Sequence, residues 1–301
     1  MFSLDNTCLK KGCLDGEVAV VTGATSNVGK GYALALAWAG AKVVVVGRNE
    51  ARGGAVVDEI CADNGPDAAI FVKADVSVAE DIENLAAKAF EKYGKVDILI
   101  NNAMDLSLNG TILESSIEDL DKSYAISARG VMLTAKAFVP EMIKRGHGAV
   151  VYSTTQFHYL PPMLGGAIYT AGKACATSAT MSLASEVKGT GVNVYCLAPA
   201  GVGQINPDSV KSMDDVNPAQ MSMPGFDGLI PIDAAGAGLV YTLTRADELH
   251  GTGLLMGEVL RVMDYPFPKP ETVAKRPAQY IGDMQLTMLF CFMGHPIPGD
   301  E

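Results

Sequence analysis

Short runs of β-branched residues alternate with longer Ala-rich stretches through the first two thirds of the chain. The runs are Glu17–Thr22, Lys42–Gly47, Ala69–Lys73, Asp97–Ile100, Ala149–Ser153 and Val192–Leu197. Their Val and Ile residues are consecutive rather than alternating with polar ones, which predicts strands covered on both faces, as in a parallel sheet. The stretches between them, Gly31–Trp38, Ala51–Ala62, Ala79–Tyr93, Leu120–Lys144 and Ala167–Lys188, carry apolar residues at helical spacing. This order predicts an α/β fold, a doubly wound parallel sheet with helices on both sides. No repeat is visible at solenoid periods.

The last third breaks the pattern. Residues 199–231 are rich in Pro, Gly, Met and Asp, and a segment of that length without periodicity suggests a functional loop such as a lid. A helix is predicted at Asp233–Thr244 and a last strand over Leu254–Val262. The tail, 264–301, is Pro-rich and carries an apolar patch, Met284–Met293, expected to dock on the body or on a neighbouring subunit. The expected organisation is an N-terminal segment 1–15, one nucleotide-binding domain over 16–263 and a C-terminal extension 264–301.

Composition narrows the function classes. With 301 residues, 49% hydrophobic and 19% charged, the chain has enough apolar side chain for a sizeable core. Its net charge of −11 makes it a poor partner for nucleic acid, which requires clustered Lys and Arg, and no nucleic-acid partner is expected. No apolar run is long enough to span a bilayer. Asp5 and two lysines stand where a signal peptide needs an apolar stretch, so a cytoplasmic protein is expected, with no membrane partner. The six cysteines are scattered and form no CxxC pair, and reduced thiols are the expectation.

Candidate chemistry begins at Thr22–Gly31, which reads TGATSNVGKG between the first predicted strand and a helix. Glycines there let backbone approach a pyrophosphate, and the helix N-terminus supplies N–H donors. At the end of the second strand, Gly47-Arg48-Asn49 lacks the acid that binds a ribose 2′-hydroxyl, while Arg48 could pair with a 2′-phosphate. Tyr169-Thr-Ala-Gly-Lys173 places a phenol and an ammonium at i and i+4, on one helix face. A nearby positive charge stabilises a phenolate, so Tyr169 can exchange a proton near neutral pH.

Together these segments resemble the short-chain dehydrogenase/reductase family, classical type, over about residues 16–263. The resemblance implies a Rossmann fold and an NAD(H) or NADP(H) cofactor, with Arg48 favouring NADP(H). In the glycine turn, Gly23 and Gly29 match the family's first and last glycines and Asn27 stands for the middle one, tolerating left-handed backbone. Ser26 and Val28 complete the cofactor turn. Ala74-Asp75-Val76 matches the stretch that the family places around adenine. Asn101-Asn102-Ala103-Met104 resembles its NNAG, with Met104 for Gly, and lines the cofactor. Pro199 and Val202 match residues flanking the nicotinamide, while Ala200 and Gln204 depart from the pattern.

The resemblance also assigns catalytic roles. Tyr169 is the acid/base. Lys173 tunes it and binds the nicotinamide ribose. Thr155, in the place of the family's Ser, orients the substrate oxygen, with Ser153 and Thr154 as alternatives, because the spacing to Tyr169 is one residue longer than usual. Ser127 stands where the family has an Asn that kinks the long helix and holds a relay water; Ser can bend a helix by bonding backward. Met213, Met221, Met223, Phe226, Leu229 and Ile230, with Tyr159, Leu160, Met163 and Leu164, suggest a bulky apolar ketone or secondary alcohol as substrate. Hydroxysteroid dehydrogenases of the family fit that profile. The alternatives are a 3-oxoacyl-type reductase and a non-catalytic nucleotide-sensing protein. Self-association into a homodimer or homotetramer through the predicted helices 120–144 and 167–188 is also implied.

Overall fold

Strands β1 (Val18–Thr22) and β2 (Lys42–Gly47) are buried almost end to end, as consecutive valines require when helices cover both faces. In the computed structural model, which describes residues 2–108, 110–155, 166–199, 222–223, 226–227 and 230–266, five further strands join them. They are β3 (Ala69–Lys73), β4 (Ile98–Asn101), β5 (Gly148–Ser153), β6 (Val192–Ala198) and β9 (Gly253–Leu255). All pair in parallel, in the order β3-β2-β1-β4-β5-β6-β9. Two two-residue strands, β7 (Ser222–Met223) and β8 (Phe226–Asp227), form a separate antiparallel pair. The strand order reverses between β1 and β4, and such a switch point opens a crevice at the carboxyl ends of the strands.

Helices α1 (Asn27–Trp38) and α2 (Glu50–Asn64) cover one face, with α7 (Ile232–Leu243) beside α1. Their core includes Leu36, Trp38, Val56, Ile60, Leu239 and Val240. Helices α3 (Ala79–Tyr93), α5 (Gly130–Arg145) and α6 (Ala167–Glu186) cover the other, around Ile82, Leu85, Phe138 and Met142. The doubly wound architecture read from the strand and helix alternation is thus the one observed. The first residues also join the body: Leu4 is buried, and the Leu14 amide donates to the Ala39 carbonyl at 2.7 Å.

Two expectations need correction. The strand expected over Leu254–Val262 ends at Leu255, and Met256–Val262 is a helix, α8. Its buried positions, Met256, Val259 and Leu260, recur at three and four residues, the helical period that a short apolar run hides. The single helix expected over Leu120–Lys144 is instead α4 (Ile117–Tyr124), a π-helical turn (Ala125–Arg129) and α5. Among the described residues no helix is long and apolar enough to cross a membrane. The tail patch Met284–Met293 and most of the segment 199–231 lie outside the described residues.

At the opposite ends of the strands from the crevice, Asp97 locks the start of the central strand β4. It is fully buried, accepts from the Val18 amide at 2.9 Å and pairs with Lys95 at 2.8 Å and with Arg145 from the end of α5. Burial opposes its charge, but these hydrogen bonds outweigh it and hold the carboxyl below its ordinary value. A group so held contributes stability above its unfolded value, lost as pH falls through the folded one. Asp97→Asn is expected to cost about 2–4 kcal/mol at neutral pH, as breaking a buried pair does. In urea titrations the gap from wild type should start to narrow as pH falls below about 4 and should close only below the depressed folded value, where both proteins carry a neutral side chain.

Candidate active site

The crevice is built on one hydroxyl. Thr22, the last residue of β1, donates through Oγ1 to the Ile100 carbonyl at 3.2 Å and accepts from the amides of Asn102 at 2.9 Å and Ala103 at 3.1 Å. Asn102 Nδ2 returns a bond to the Thr22 carbonyl at 3.1 Å. The chain leaving β4 is thereby held against the glycine turn leaving β1. A Cβ placed on Gly29 would lie 2.2 Å from the Gly23 carbonyl oxygen and 2.6 Å from Asn102 Nδ2, so only glycine fits. Asn27 has φ +45°, the left-handed conformation expected of a residue replacing glycine there. Ser26 caps α1 in extended geometry with no side-chain cap hydrogen bond, which leaves the first helix amides to an incoming anion. Val28 packs against the core beneath the turn.

The neighbouring strand ends add polar groups. Asn101 Oδ1 accepts from Thr134 at 2.8 Å, and its buried Nδ2 has no partner among the described residues. Asp75 holds its own turn, accepting at Oδ1 from the Ser77 amide at 3.0 Å and hydroxyl at 2.6 Å, and Val76 is buried beside it against Gly130. Arg48 is exposed at the end of β2 and pairs with Asp105 at 3.2 Å. Pro199 is half-buried just past β6, while Ala200, Val202 and Gln204 lie outside the described residues.

On the other side of the switch point, α6 carries the YxxxK residues. Tyr169 hydrogen-bonds Thr155, which is buried after β5. Burial pushes the Tyr169 phenol up, and the Thr155 hydroxyl partly offsets it. Of the alternatives to Thr155, the Thr154 hydroxyl is engaged elsewhere, with Oγ1 2.5 Å from Thr177 Oγ1, and the Ser153 backbone carbonyl accepts from Lys173 at 2.5 Å. Lys173 is buried, with Nζ 5.0 Å from the Tyr152 ring centre and 6.0 Å from that of Tyr169. Burial lowers its pKa to about 8, against a small opposing effect of the Cys196 thiol.

The π-helical turn explains how α6 comes so close. Ser127 Oγ donates backward to the Ser123 carbonyl, and Ser123 Oγ donates to the Ile168 carbonyl at 3.1 Å. Both serines are buried against Gly172, where a Cβ would sit 2.3 Å from Ser123 Oγ and 2.7 Å from Ser127 Oγ. Gly172 lies between Tyr169 and Lys173 in sequence, so the approach fixes the helix that carries both. The sequence reading placed Ser127 here but passed over Ser123, Gly172 and Asp105. The spacing Ser123–Ser127 and a glycine inside YxxxK were the available signals.

Comparison with known proteins follows the same geometry. A family model described as short chain dehydrogenase matches residues 17–213. The 2,5-dichloro-2,5-cyclohexadiene-1,4-diol dehydrogenase of Sphingobium indicum is 33% identical over 242 residues, 80% of this chain and 94% of that protein. A solved 7α-hydroxysteroid dehydrogenase, complexed with NADH and 7-oxo glycochenodeoxycholic acid, aligns with a TM-score of 0.69 at 26% identity, over 85% of this chain and 96% of that one. The 3-ketoacyl-(acyl-carrier-protein) reductase of Brucella melitensis, complexed with NADH, aligns with a TM-score of 0.67 at 29% identity, over 80% and 97%. The chain belongs to the short chain dehydrogenase family, oxidoreductases that act on CH–OH groups.

Proposed function

We propose that the protein interconverts a ketone and a secondary alcohol on a bulky apolar substrate, using NAD(H) or NADP(H). The observation that carries the reading is the group of Thr155, Tyr169 and Lys173 gathered past the carboxyl end of β5, two strands from β1 and its glycine turn. The cradle at Gly23 and Gly29, the uncapped amides after Ser26 and the partnerless Asn101 Nδ2 fit a dinucleotide. Arg48 favours NADP(H) as the group that would meet a 2′-phosphate.

When bound, the nicotinamide ring supplies or accepts the hydride. The chain's own residues handle the oxygen. Tyr169 donates its phenolic proton to the carbonyl oxygen in reduction and takes it back in oxidation. Thr155 donates a hydrogen bond to the same oxygen and fixes its position. Lys173, as the ammonium, favours the phenolate form of Tyr169. Ser127 holds the π-helical turn against the helix bearing both groups.

The apolar substrate class is supported by Ile112 and Leu113, which are highly exposed in the chain between β4 and α4. The hydroxysteroid dehydrogenase likeness supports the same class. The likeness to a 3-ketoacyl reductase keeps that activity as the second reading, although an acidic chain is poorly suited to an acidic carrier protein. Self-association, as a homodimer or homotetramer, is supported by a groove on the outer side of α4, α5 and α6. It is lined by Tyr124, Met132, Leu133 and Cys175, with Met132 54% exposed.

Tyr169→Phe should lower kcat about 10²–10⁴-fold, the usual worth of a positioned acid/base, with dinucleotide affinity unchanged. Turnover like wild type on a ketone panel, followed by nicotinamide absorbance, would sink the reading. Thr155→Ser should keep most activity, while Thr155→Ala should lose roughly 10²-fold.

Lys173 yields a stability signature in the ligand-free protein. Its folded pKa of about 8 lies below the ordinary 10.5, so between these values the unfolded chain holds a proton that the folded one has released. Stability therefore rises with pH in that window. Wild type should gain on Lys173→Met from pH 8 towards pH 10 in denaturant titrations, and a constant gap would contradict the burial argument.

Met132→Glu places a charge in the exposed groove. Light scattering after size exclusion should show it at a smaller mass than wild type if the face is the subunit contact.

A further inference from the structure

Arg48 and Asp105 follow β2 and β4, which are the two hydrogen-bonded neighbours of β1. Their ion pair at 3.2 Å therefore spans the carboxyl end of β1, above the glycine turn. Two other cations near the turn are paired on their own side of the sheet: Lys30 with Glu59 at 2.7 Å, and Lys73 with Glu50 at 3.3 Å. Arg48 takes its partner from across the crevice.

Asp105 is built for this contact. Its Oδ1 accepts from the Ser107 hydroxyl at 2.6 Å and the Ser107 amide at 3.1 Å, which fixes the carboxylate and turns Oδ2 to Arg48. The Ser107 hydroxyl bond holds the carboxyl below its usual value, outweighing partial burial, and Arg48 adds to the effect. Asp105 is thus an anion fixed by its own loop, half-buried, while the guanidinium is exposed.

We propose that Asp105 sets the protein's choice between a ribose 2′-hydroxyl and a 2′-phosphate. The proposal rests on the dinucleotide reading above and adds to it a residue that no cofactor motif contains. A 2′-phosphate reaching Arg48 must compete with the carboxylate for the guanidinium and lie beside that carboxylate's charge. A 2′-hydroxyl does neither, and can donate to Asp105. Arg48 thus attracts the phosphorylated cofactor and Asp105 limits that attraction, giving a protein that accepts both cofactors more evenly than Arg48 alone would.

The test is binding of two half-cofactors, 2′,5′-ADP and 5′-AMP, by isothermal titration with the full chain. Asp105→Asn should bind 2′,5′-ADP about five- to tenfold more tightly, since a rim pair is weak and a like charge is removed, with 5′-AMP changed less than about twofold. Ser107→Ala, which frees the carboxylate without removing it, should move 2′,5′-ADP affinity the same way by a smaller factor. Arg48→Ala should abolish the preference for the 2′-phosphate, and adding Asp105→Asn to it should restore less than Asp105→Asn adds to wild type. Unchanged or weaker 2′,5′-ADP binding by Asp105→Asn, or equal tightening of both nucleotides, overturns the role of Asp105. If Arg48→Ala leaves the ratio unchanged, the assignment of Arg48 fails with it. If neither nucleotide binds wild type, the dinucleotide reading itself is lost.

Discussion

The Thr22 hydroxyl is the joint on which the crevice depends. It makes three hydrogen bonds to the backbone around the end of β4, and Asn102 closes the arrangement from the other side. A strand-order reversal alone would let β1 and β4 diverge at their carboxyl ends. Here the divergence begins only after Asn102, and the gap is narrow enough that Gly29 cannot carry a Cβ. A backbone held this close presents N–H groups without intervening side chains, as anion binding requires.

The second half of the site is positioned by contacts of the same kind. Gly172 admits the Ser123 and Ser127 hydroxyls to the surface of α6, and Ser123 bonds the Ile168 carbonyl, one residue before Tyr169. The π-helical turn widens the helix locally so that both serines reach inward. Such turns interrupt helices where a site needs backbone out of register. In both halves, a missing Cβ on one element meets a hydrogen-bonding side chain on the next.

Much of this was legible in the chain, for physical reasons that vary by residue. Consecutive Val and Ile residues reveal strands because only a two-sided burial tolerates them, and so six of the seven strands could be drawn from such runs. Asn27 could be placed because left-handed backbone restricts residue choice. At 125–129 the sequence pointed to a bend at Ser127 but not to its form, since π-helical turns share the apolar spacing of the helices on either side. The run 254–262 misled because short apolar runs fit both periods, and burial on one side of α8 decided it. Thr155, Ser153 and Thr154 could not be told apart in the sequence, because three adjacent hydroxyls differ in direction and not in type. Asp105 left no signal because its partner is 57 residues away in sequence.

Charge distribution sets the last constraint. A chain of net charge −11 repels an anionic dinucleotide at long range, so affinity must come from groups at the crevice itself. Two cations lie at its two sides, and they are treated in opposite ways. Arg48 is exposed and held by a carboxylate, so its availability to a ligand is variable. Lys173 is buried among a carbonyl oxygen, the Tyr152 ring and the Tyr169 ring, so its position is constant and its charge is variable, with a pKa of about 8. The first arrangement suits selection among ligands, where exchange of partners is the event that counts. The second suits proton chemistry, where a fixed group must respond to its surroundings without moving.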